Sequence, residues 1–181
     1  MSQSYRVEVL SEAKHRRLEF VCEEAELTSF IRDHALSEME ARVSVCFVLV
    51  PLADPGRVAG FYTLSTATLQ LTRLPAELKA KLPGYPNRPA TLLGRLARDR
   101  EFRGAGLGEL LLVSALQRSL LNTNRVGSVA VVTDPKNAKV GVFYRKYGFQ
   151  NLGGGRRMFM TMRAIENLLG DGMNRIPVKL P

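Results

Sequence analysis

Hydrophobic and polar positions change their spacing several times along the first third of the chain. Residues 5–10 alternate apolar and polar side chains, as a half-buried strand does. Residues 11–39 carry apolar side chains three or four positions apart among many glutamates, which predicts one or two helices with solvated outer faces. Two β-branched, apolar runs follow at 43–50 and 58–65. The turn-forming residues PLADPGR between them predict a β-hairpin.

The rest of the chain alternates buried strands with amphipathic helices. The pattern predicts an interior strand, a helix, a buried strand, a second helix and a last strand, over residues 91–97, 109–121, 128–133, 137–147 and 157–164. Asn137 is suited to cap the second helix and Gly148 to close it. This order predicts an α/β or α+β fold with a mixed central sheet flanked by helices.

Residues 70–90 break this regular pattern. The stretch holds four prolines and a cluster of basic residues. We expect it to form a long irregular connection on the surface, a kind of segment that is commonly functional.

Length and composition favour one domain. With 181 residues and 45% hydrophobic content, the chain has enough apolar residues for one sizeable core. We expect a single domain over 1–181, with its core at about 5–163 and a tail at 164–181. No apolar run reaches the roughly 18 residues of a membrane span, and the N-terminus lacks the pattern of a signal peptide. We therefore expect a cytoplasmic protein with no membrane partner.

Few residues are suited to metal binding or nucleophilic catalysis. The two cysteines lie far apart, and Cys46 falls inside an apolar run, which favours buried packing over a disulfide or a nucleophile. Only two histidines are present. We therefore expect no metal site and no Ser-His-Asp triad.

Charge is distributed unevenly. The net charge is +9, yet residues 1–50 hold nine acidic side chains against six basic ones. The excess of Lys and Arg therefore lies in the later part of the chain. An anionic partner for that part, or a basic surface kept for solubility, both fit this distribution.

A glycine-rich stretch, RGAGLG at 103–108, joins the predicted strand at 91–97 to the helix that follows. A Walker A loop is excluded because no Gly-Lys-Ser/Thr string occurs in the chain. A dinucleotide fingerprint is excluded because Glu109 stands where its third glycine is required. A pyrophosphate bound by main-chain N–H groups at the helix start, or a simple turn, remain as alternatives.

Two motifs resolve these alternatives through a family resemblance. Arg103-Gly104-Ala105-Gly106-Leu107-Gly108 and the later FYRKYGF at 143–149 resemble the GNAT superfamily of acetyl-CoA-dependent N-acetyltransferases. With HRRLEFVC at 15–22, GFYTLS at 60–65 and LLGRLARD at 92–99, the chain is similar to the toxin branch found in type II toxin–antitoxin modules. That resemblance implies an enzyme that acetylates the α-amine of aminoacyl-tRNA, stops translation and is neutralised by a small cognate antitoxin.

The resemblance also implies that the strands at 91–97 and 128–133 splay apart and hold acetyl-CoA between them, and it implies site residues. Tyr144 is the proton or hydrogen-bond donor to the departing thiolate, whereas we expect the neighbouring Phe143 to pack in the core. The residues implied for acetyl-CoA are the backbone at Leu96, Ala97 and Arg98, the loop Arg103, Gly104, Ala105, Gly106, Leu107 and Gly108, and also Asn137. Arg98 departs from the branch, which often has an apolar residue there. We regard Asp99 and Glu101 as weak alternatives for a base, more in keeping with surface ion pairs.

Contacts with tRNA require cations. We assign these to Arg73, Lys79, Lys81, Arg88, Arg95, Arg145 and Lys146. The resemblance further implies a homodimer, and DNA contact only through the antitoxin complex. Two alternatives stay open: an ordinary GNAT enzyme acting on a small amine or a protein N-terminus, and a non-catalytic module that keeps only the fold.

Overall fold

A computed structural model describes residues 4–170 as one seven-stranded sheet with helices on both faces. The strand order is β1-β2-β3-β4-β5-β7-β6, and the pairs are antiparallel except for the parallel pair β4–β5. The strands are β1 (Tyr5–Val9), β2 (Val45–Pro51), β3 (Gly60–Gln70), β4 (Asn87–Arg98), β5 (Ala130–Thr133), β6 (Gln150–Asn151) and β7 (Met158–Thr161). The predicted mixed sheet and the β2–β3 hairpin are confirmed.

The helices are α1 (Ala25–Ser29), α2 (Ala35–Glu40), α3 (Ala76–Lys79), α4 (Leu107–Asn122), α5 (Ala138–Lys146) and α6 (Met162–Gly170). A π-helical stretch, Phe30–His34, joins α1 to α2. Within residues 4–170, no helix is long and apolar enough to cross a membrane.

Successive residues of β3 face opposite cores, as the pleat of a strand requires. The Tyr62 hydroxyl hydrogen-bonds Ser114 on α4 at 2.9 Å. Its neighbour Phe61 packs on the other face against Phe20 and Phe30, with ring centroids 5.3 and 5.9 Å apart. The α1–α2 segment thus covers one face of the sheet, while α4 covers the other.

Cys46 is fully buried in β2, so the prediction of a packing role is confirmed. Burial raises the pKa of its thiol to about 12, which keeps the sulfur protonated at neutral pH.

The helix predicted from residue 11 is wrong for its first half. Only a 3-10 turn, Arg17–Glu19, forms before Ala25. Other groups take the backbone donors there: the Ser11 N–H donates to His15 Nδ1 and the Val21 N–H to Asp99 Oδ2, both at 2.9 Å. Such side-chain bonds offer the backbone an alternative to helix.

The prediction of one irregular connection at 70–90 is also wrong in part. The strand β3 continues to Gln70, β4 already begins at Asn87, and the short helix α3 lies between them. Pro75 directly precedes α3, where its fixed φ fits a helix start. Pro89 lies before the β4–β5 pairing begins at Thr91, so its missing N–H interrupts no bond of that ladder.

The last predicted strand ends early. The strand β7 stops at Thr161, and residues 162–164, predicted as strand, begin helix α6. The Thr161 hydroxyl accepts a hydrogen bond from the Ala164 N–H at 3.2 Å, which caps the new helix. Ile165 and Leu169, four residues apart, are buried in the core. Core packing therefore extends beyond residue 163, and the rest of the expected tail, 171–181, lies outside the described residues.

The feature that matters most for the site is the divergence of β4 from β5. The two strands pair only at Thr91–Val131 and Leu92–Val132. The register between β3 and β4 then shifts, because Thr63 pairs with Arg95 and Leu64 with Leu93. This leaves Gly94 as an extra, bulged residue, and a bulge bends its strand. A cleft therefore opens between the C-terminal halves of β4 and β5.

Candidate active site

The glycine-rich loop lies at the open end of this cleft. A 3-10 turn, Arg100–Phe102, follows β4 and leads to Arg103. Gly104 and Gly106 then adopt left-handed backbone conformations, with φ of 83° and 72°, and Gly106 is the N-cap of α4. An L side chain rarely adopts this conformation, so the fold of the loop itself requires these glycines.

The loop presents several main-chain donors. Arg103 N–H donates to Arg100 O and Ala105 N–H to Phe102 O, at 3.2 and 3.3 Å. The N–H groups of Gly104, Gly106, Leu107 and Gly108 have no hydrogen-bond acceptor within residues 4–170. Gly104 and Gly106 are exposed, and Leu107 anchors the helix start through its fully buried side chain. Open donors at the positive end of a 16-residue helix form a site for an anion such as a diphosphate.

The free edge of β4 forms one wall of the cleft. Leu96, Ala97 and Arg98 pair with Tyr62, Phe61 and Gly60 of β3 on their other side. The edge that faces β5 has no strand partner after Leu92. Alternate main-chain groups of this edge are therefore available to the amides of an extended ligand. This is the arrangement that the assignment of Leu96, Ala97 and Arg98 requires.

The Arg98 side chain is not a free cation in this structure. Its Nη2 lies 2.9 Å from Glu23 Oε1, and the side chain is partly buried. Across the cleft mouth, Lys136 Nζ contacts Glu24 at 2.6 Å and Glu26 at 3.3 Å. The segment 23–26 thus contacts the end of β4 through Arg98 and the loop after β5 through Lys136.

Tyr144 lies at the closed end of the cleft. Its side chain is 5% exposed, and its phenol forms a hydrogen bond with Thr133. Thr133 in turn donates to the carbonyl oxygen of Leu93 at 3.0 Å, at the point where β4 and β5 separate. Burial raises the pKa of Tyr144 above its usual value, partly offset by the Thr133 bond. The phenol is therefore protonated throughout the physiological range. Because Thr133 donates its own proton to Leu93, the Tyr144 O–H donates to the Thr133 hydroxyl in this structure.

The expected contrast between Tyr144 and Phe143 is wrong. Both pack in the same cluster, and Tyr144 is the more buried of the two. Their rings meet edge-on at 5.3 Å, and Phe149 contacts Tyr144 at 5.2 Å. The reason is that α5 presents Tyr144 toward the core face of the sheet, whereas Phe143 sits at its margin.

Tyr147 has a different partner. Its phenol hydrogen-bonds the Glu109 carboxylate, and burial together with this negative charge raises its pKa to about 12. The bond joins α5 to the first turn of α4. Hydrogen bonds to a charged group are stronger than those to a neutral hydroxyl, so the Tyr147 phenol is harder to redirect than the Tyr144 phenol, and Tyr144 stays the candidate donor.

Asn137 caps α5, as the sequence predicted. Its Oδ1 accepts from the Val140 N–H at 3.0 Å. Gly148, with φ of 99°, follows the helix end. The capping role leaves the amide nitrogen of Asn137 available, and its contact with the cofactor stays a prediction.

The basic residues assigned to tRNA differ in their surroundings. Arg73, Lys81, Arg145 and Lys146 are exposed, and Lys79 is half-buried. Arg95 stacks 3.7 Å over the Phe30 ring and contacts Glu38 at 3.3 Å, so α1–α2 holds it beside the cleft.

Arg88 is the exception in this set, because it is only 4% exposed. Its Nη1 donates to Asn87 O at 3.0 Å, and its guanidinium lies 5.3 Å from the Tyr85 ring. A phosphate contact by Arg88 would require the neighbouring segment to move aside.

Two site residues were missed or misjudged from the sequence. Thr133 links Tyr144 to Leu93, and nothing in its sequence context marks it beyond a strand end. Asp99 was expected to form a surface ion pair, yet it is buried and contacts Arg57 at 3.2 Å. Its place between an interior strand and the glycine-rich loop was the available signal. Within the described residues, no cluster of His, Cys, Asp and Glu is suited to a metal.

Comparison with known proteins gives no match to a family model. Two relatives match most of the chain. A probable toxin TacT of Sinorhizobium fredii is 28% identical over 172 residues, covering 91% of this chain and 94% of the relative. A tRNA-acetylating toxin of Mycobacterium tuberculosis is 29% identical over 149 residues, covering 82% and 87%.

Solved structures agree with these relatives. AtaT complexed with acetyl-methionyl-tRNAfMet matches with a TM-score of 0.84 and 28% identity, covering 92% of this chain and 99% of AtaT. A tyrosine-to-phenylalanine mutant of AtaT, bound to the C-terminus of the antitoxin AtaR and acetyl-CoA, matches at 0.76 and 25%, with the same coverage. The KacTA–DNA complex matches at 0.77 and 25%, covering 93% and 99%.

These relatives match the chain over nearly its full length. Their shared fold agrees with the sheet and with the loop of open main-chain donors described above. Over that length the chain is similar to the GNAT-fold toxins of toxin–antitoxin systems.

Proposed function

We propose that this protein is an acetyl-CoA-dependent N-acetyltransferase toxin that acetylates the α-amine of aminoacyl-tRNA and thereby inhibits translation. The observation that carries the proposal is the β4–β5 cleft. It has open main-chain donors at one end, at Gly104, Gly106, Leu107 and Gly108, and a buried phenol at the other, at Tyr144. Relatives that acetylate tRNA, and AtaT with acetylated methionyl-tRNA, support it.

The residues present fit acetyl-CoA. The loop 103–108 offers N–H groups to a diphosphate, and the free edge of β4 offers main-chain groups to the pantetheine amides. Leu96, Ala97 and Arg98 would also polarise the thioester carbonyl, as an oxyanion hole does. When bound, acetyl-CoA supplies an activated acetyl group: the amine nitrogen forms a bond to the acetyl carbon, and the carbon–sulfur bond breaks.

Tyr144 donates a proton or a hydrogen bond to the departing sulfur. A thiolate has a solution pKa of about 8.5, so its negative charge is stabilised by a donor that stays protonated. The buried phenol of Tyr144 meets this requirement, and Thr133 fixes its orientation. The proton that the amine loses on forming the amide balances the one that the sulfur gains.

An α-amine needs little help from a general base. With a pKa of about 7.8, roughly one α-amine in seven is neutral at pH 7, whereas a lysine amine near 10.4 is neutral in roughly one of 2,500. Asp99 is buried against Arg57 and does not face the cleft as a free base. The absence of an assigned base among the described cleft residues therefore suits an aminoacyl substrate.

The partners follow from the same evidence. Cations at Arg73, Lys79, Lys81, Arg95, Arg145 and Lys146 are suited to tRNA phosphates, and Arg88 joins them only after a local rearrangement. A small cognate antitoxin neutralises the enzyme, as the antitoxin-bound AtaT supports. The protein contacts DNA only in complex with the antitoxin, a proposal that the KacTA–DNA complex supports. The homodimer and a cytoplasmic location remain predictions.

The test is acetyl transfer with competing acceptors. The purified protein is given labelled acetyl-CoA with charged tRNA, uncharged tRNA, free polyamines or peptides. We expect label on charged tRNA alone, released by mild alkali as an N-acetylated amino acid. Label confined to polyamines or peptides would favour an ordinary acetyltransferase, and no label together with no heat of acetyl-CoA binding would favour a non-catalytic module.

A further inference from the structure

A buried carboxylate stands directly before the glycine-rich loop and has no role in the chemistry above. Asp99 follows the last residue of β4 and is 1% exposed. Burying a carboxylate is costly unless several donors satisfy it, so its contacts identify what it holds in place.

Asp99 joins three separate segments. Its Oδ2 accepts from the Val21 N–H at 2.9 Å and lies 3.2 Å from Arg57 Nη2. Its Oδ1 accepts from the Glu101 N–H at 2.9 Å, which caps the 3-10 turn Arg100–Phe102. Its own N–H donates to Ala59 O at 2.8 Å.

The neighbours of Asp99 reinforce the same turn. The Arg100 N–H donates to Val21 O at 2.8 Å, so the turn is bonded to the N-terminal segment twice. Arg57 Nη2 also contacts Glu101 Oε2 at 2.7 Å, and its guanidinium lies 5.8 Å from the Phe102 ring. The turn that precedes the loop is therefore held by the N-terminal segment, through Val21, and by the β2–β3 connection, through Arg57.

We propose that Asp99 is a positioning residue that fixes the turn Arg100–Phe102 and so orients the main-chain donors of 103–108 for a diphosphate. The proposal rests on the proposed function, because it assigns acetyl-CoA to this loop. Asp99 affects the affinity for acetyl-CoA and takes no part in the acetyl-transfer step, which depends on Leu96–Arg98 and Tyr144.

The physical reason is preorganisation. Gly104 and Gly106 give the loop the freedom to adopt left-handed conformations, and the same freedom allows many others. A loop that becomes ordered only when its ligand binds has a lower affinity for that ligand, because the ordering costs free energy. A buried carboxylate at the loop's start removes part of this cost before the ligand arrives.

The test compares acyl donors with and without the diphosphate. For Asp99→Asn, we expect the Kd and KM for acetyl-CoA to rise about tenfold, equivalent to ~1.4 kcal/mol, with kcat within about twofold of wild type. S-Acetylpantetheine has the same thioester and lacks the diphosphate, so we expect turnover of that donor to be unchanged. A purely structural role for Asp99 would lower turnover with both donors.

Two further variants complete the experiment. Asp54 is an exposed carboxylate on the β2–β3 turn that pairs with Arg16. For Asp54→Asn, we expect no change in turnover or KM with either acyl donor. If Asp99→Asn fails to fold, Arg57→Gln removes the cation that faces the carboxylate, and we expect a smaller rise in the KM for acetyl-CoA alone. Wild-type affinity in a folded Asp99→Asn, or equal losses with both donors, overturns the positioning role. Lack of acetyl-CoA binding by the wild type instead overturns the proposed function.

Discussion

At the scale of single residues, Tyr144 is distinguished by its surroundings. Tyrosines on helices commonly pack in cores, and Tyr144 does so, yet its hydroxyl meets Thr133 where β4 and β5 separate. Tyr147, directly after the end of α5, is also buried, but its hydroxyl is engaged with Glu109. Two similar aromatic residues one turn apart thus have different hydroxyl partners, and the sequence motif alone could not separate them by physical argument.

Replacing Tyr144 with phenylalanine tests its role as a donor. We expect kcat to fall on the order of 100-fold or more, because the thiolate loses its hydrogen-bond donor. The melting temperature and the KM for acetyl-CoA should change little. Tyr147→Phe is the matched control and should retain most of the kcat. Steady-state rates with charged tRNA measure both, and an active Tyr144→Phe variant would refute the assignment.

The pH dependence of the rate follows from the same groups. The raised pKa of Tyr144 keeps the phenol protonated well beyond neutrality, so no loss of activity from its ionisation is expected below about pH 10. The rate should rise from pH 6, reach half of its maximum near the α-amine pKa of about 7.8 and level off above about pH 9, as the acceptor amine loses its proton. Initial rates corrected for ester hydrolysis measure this profile. A decline between pH 7 and 9 would contradict the assignment of a protonated phenol.

At the scale of elements, periodicity predicted the parts that are long and regular. The interior strand, helices α4 and α5 and the hairpin were found where the pattern placed them, because each buries one face. The N-terminal segment and α6 were mispredicted. In the first, the Val21 N–H donates to the distant Asp99 and the Ser11 N–H to the nearby His15, and in the second, Thr161 caps a helix inside an alternating run. Hydrophobic spacing reports neither the long-range contact of Asp99 with Val21 nor side-chain hydrogen bonds such as those of His15 and Thr161.

The cleft itself shows the same limit. An isolated glycine such as Gly94 is compatible with a bulge, but its neighbours Leu93 and Arg95 fit an ordinary strand, and the register shift shows only in the structure. The family resemblance implied diverging strands, and the register shift at Thr63–Leu64 accounts for the divergence. The candidate loop was predictable from the chemistry of its glycines, whereas its support by Asp99 was not.

The left-handed glycines give a direct prediction for the loop. In Gly106→Ala, the side chain strains a φ of 72° by about 1 kcal/mol, which should lower the melting temperature by about 2–4 °C. Acetyl-CoA affinity should fall about tenfold, because the donors around the strained residue tilt. Gly127→Ala is the control, since a Cβ there meets open space at an ordinary φ. Calorimetry that finds both variants binding equally would contradict this.

Asn137 separates capping from cofactor binding. Asn137→Ala removes the cap of α5 and should cost about 1 kcal/mol of unfolding free energy. Asn137→Asp keeps an oxygen acceptor and should preserve the stability. If Asn137 also contacts acetyl-CoA, the aspartate variant should still bind the donor more weakly. Thermal unfolding and calorimetry on both variants measure the two effects independently.

At the scale of the whole molecule, the positive charge matters more for binding the tRNA substrate than for the stability of the fold. The net charge of +9 includes exposed Arg73, Lys81, Arg145 and Lys146, which face solvent where RNA can reach them. Affinity that depends on phosphate contacts falls steeply with salt, because counterions are released on binding. The uneven charge seen in the sequence therefore predicts a property of the complex.

Salt titration tests this role of the basic surface. The logarithm of the tRNA affinity should fall linearly with the logarithm of salt concentration, with a slope of about −2 or steeper. The double variant Arg73→Gln and Lys81→Gln should reduce that slope by about 1 to 2. Lys14→Gln, an exposed cation on the N-terminal segment, should leave it unchanged. Equal slopes for all three proteins would remove Arg73 and Lys81 from the interface.

The structure of the protein bound to acetyl-CoA tests the central claim most directly. We expect diphosphate oxygens about 2.7–3.2 Å from main-chain nitrogens of Gly104 to Gly108, and the thioester between β4 and β5 with its sulfur near the Tyr144 hydroxyl. A structure in which acetyl-CoA lies elsewhere, or in which this loop stays empty at saturating acetyl-CoA, would contradict the account.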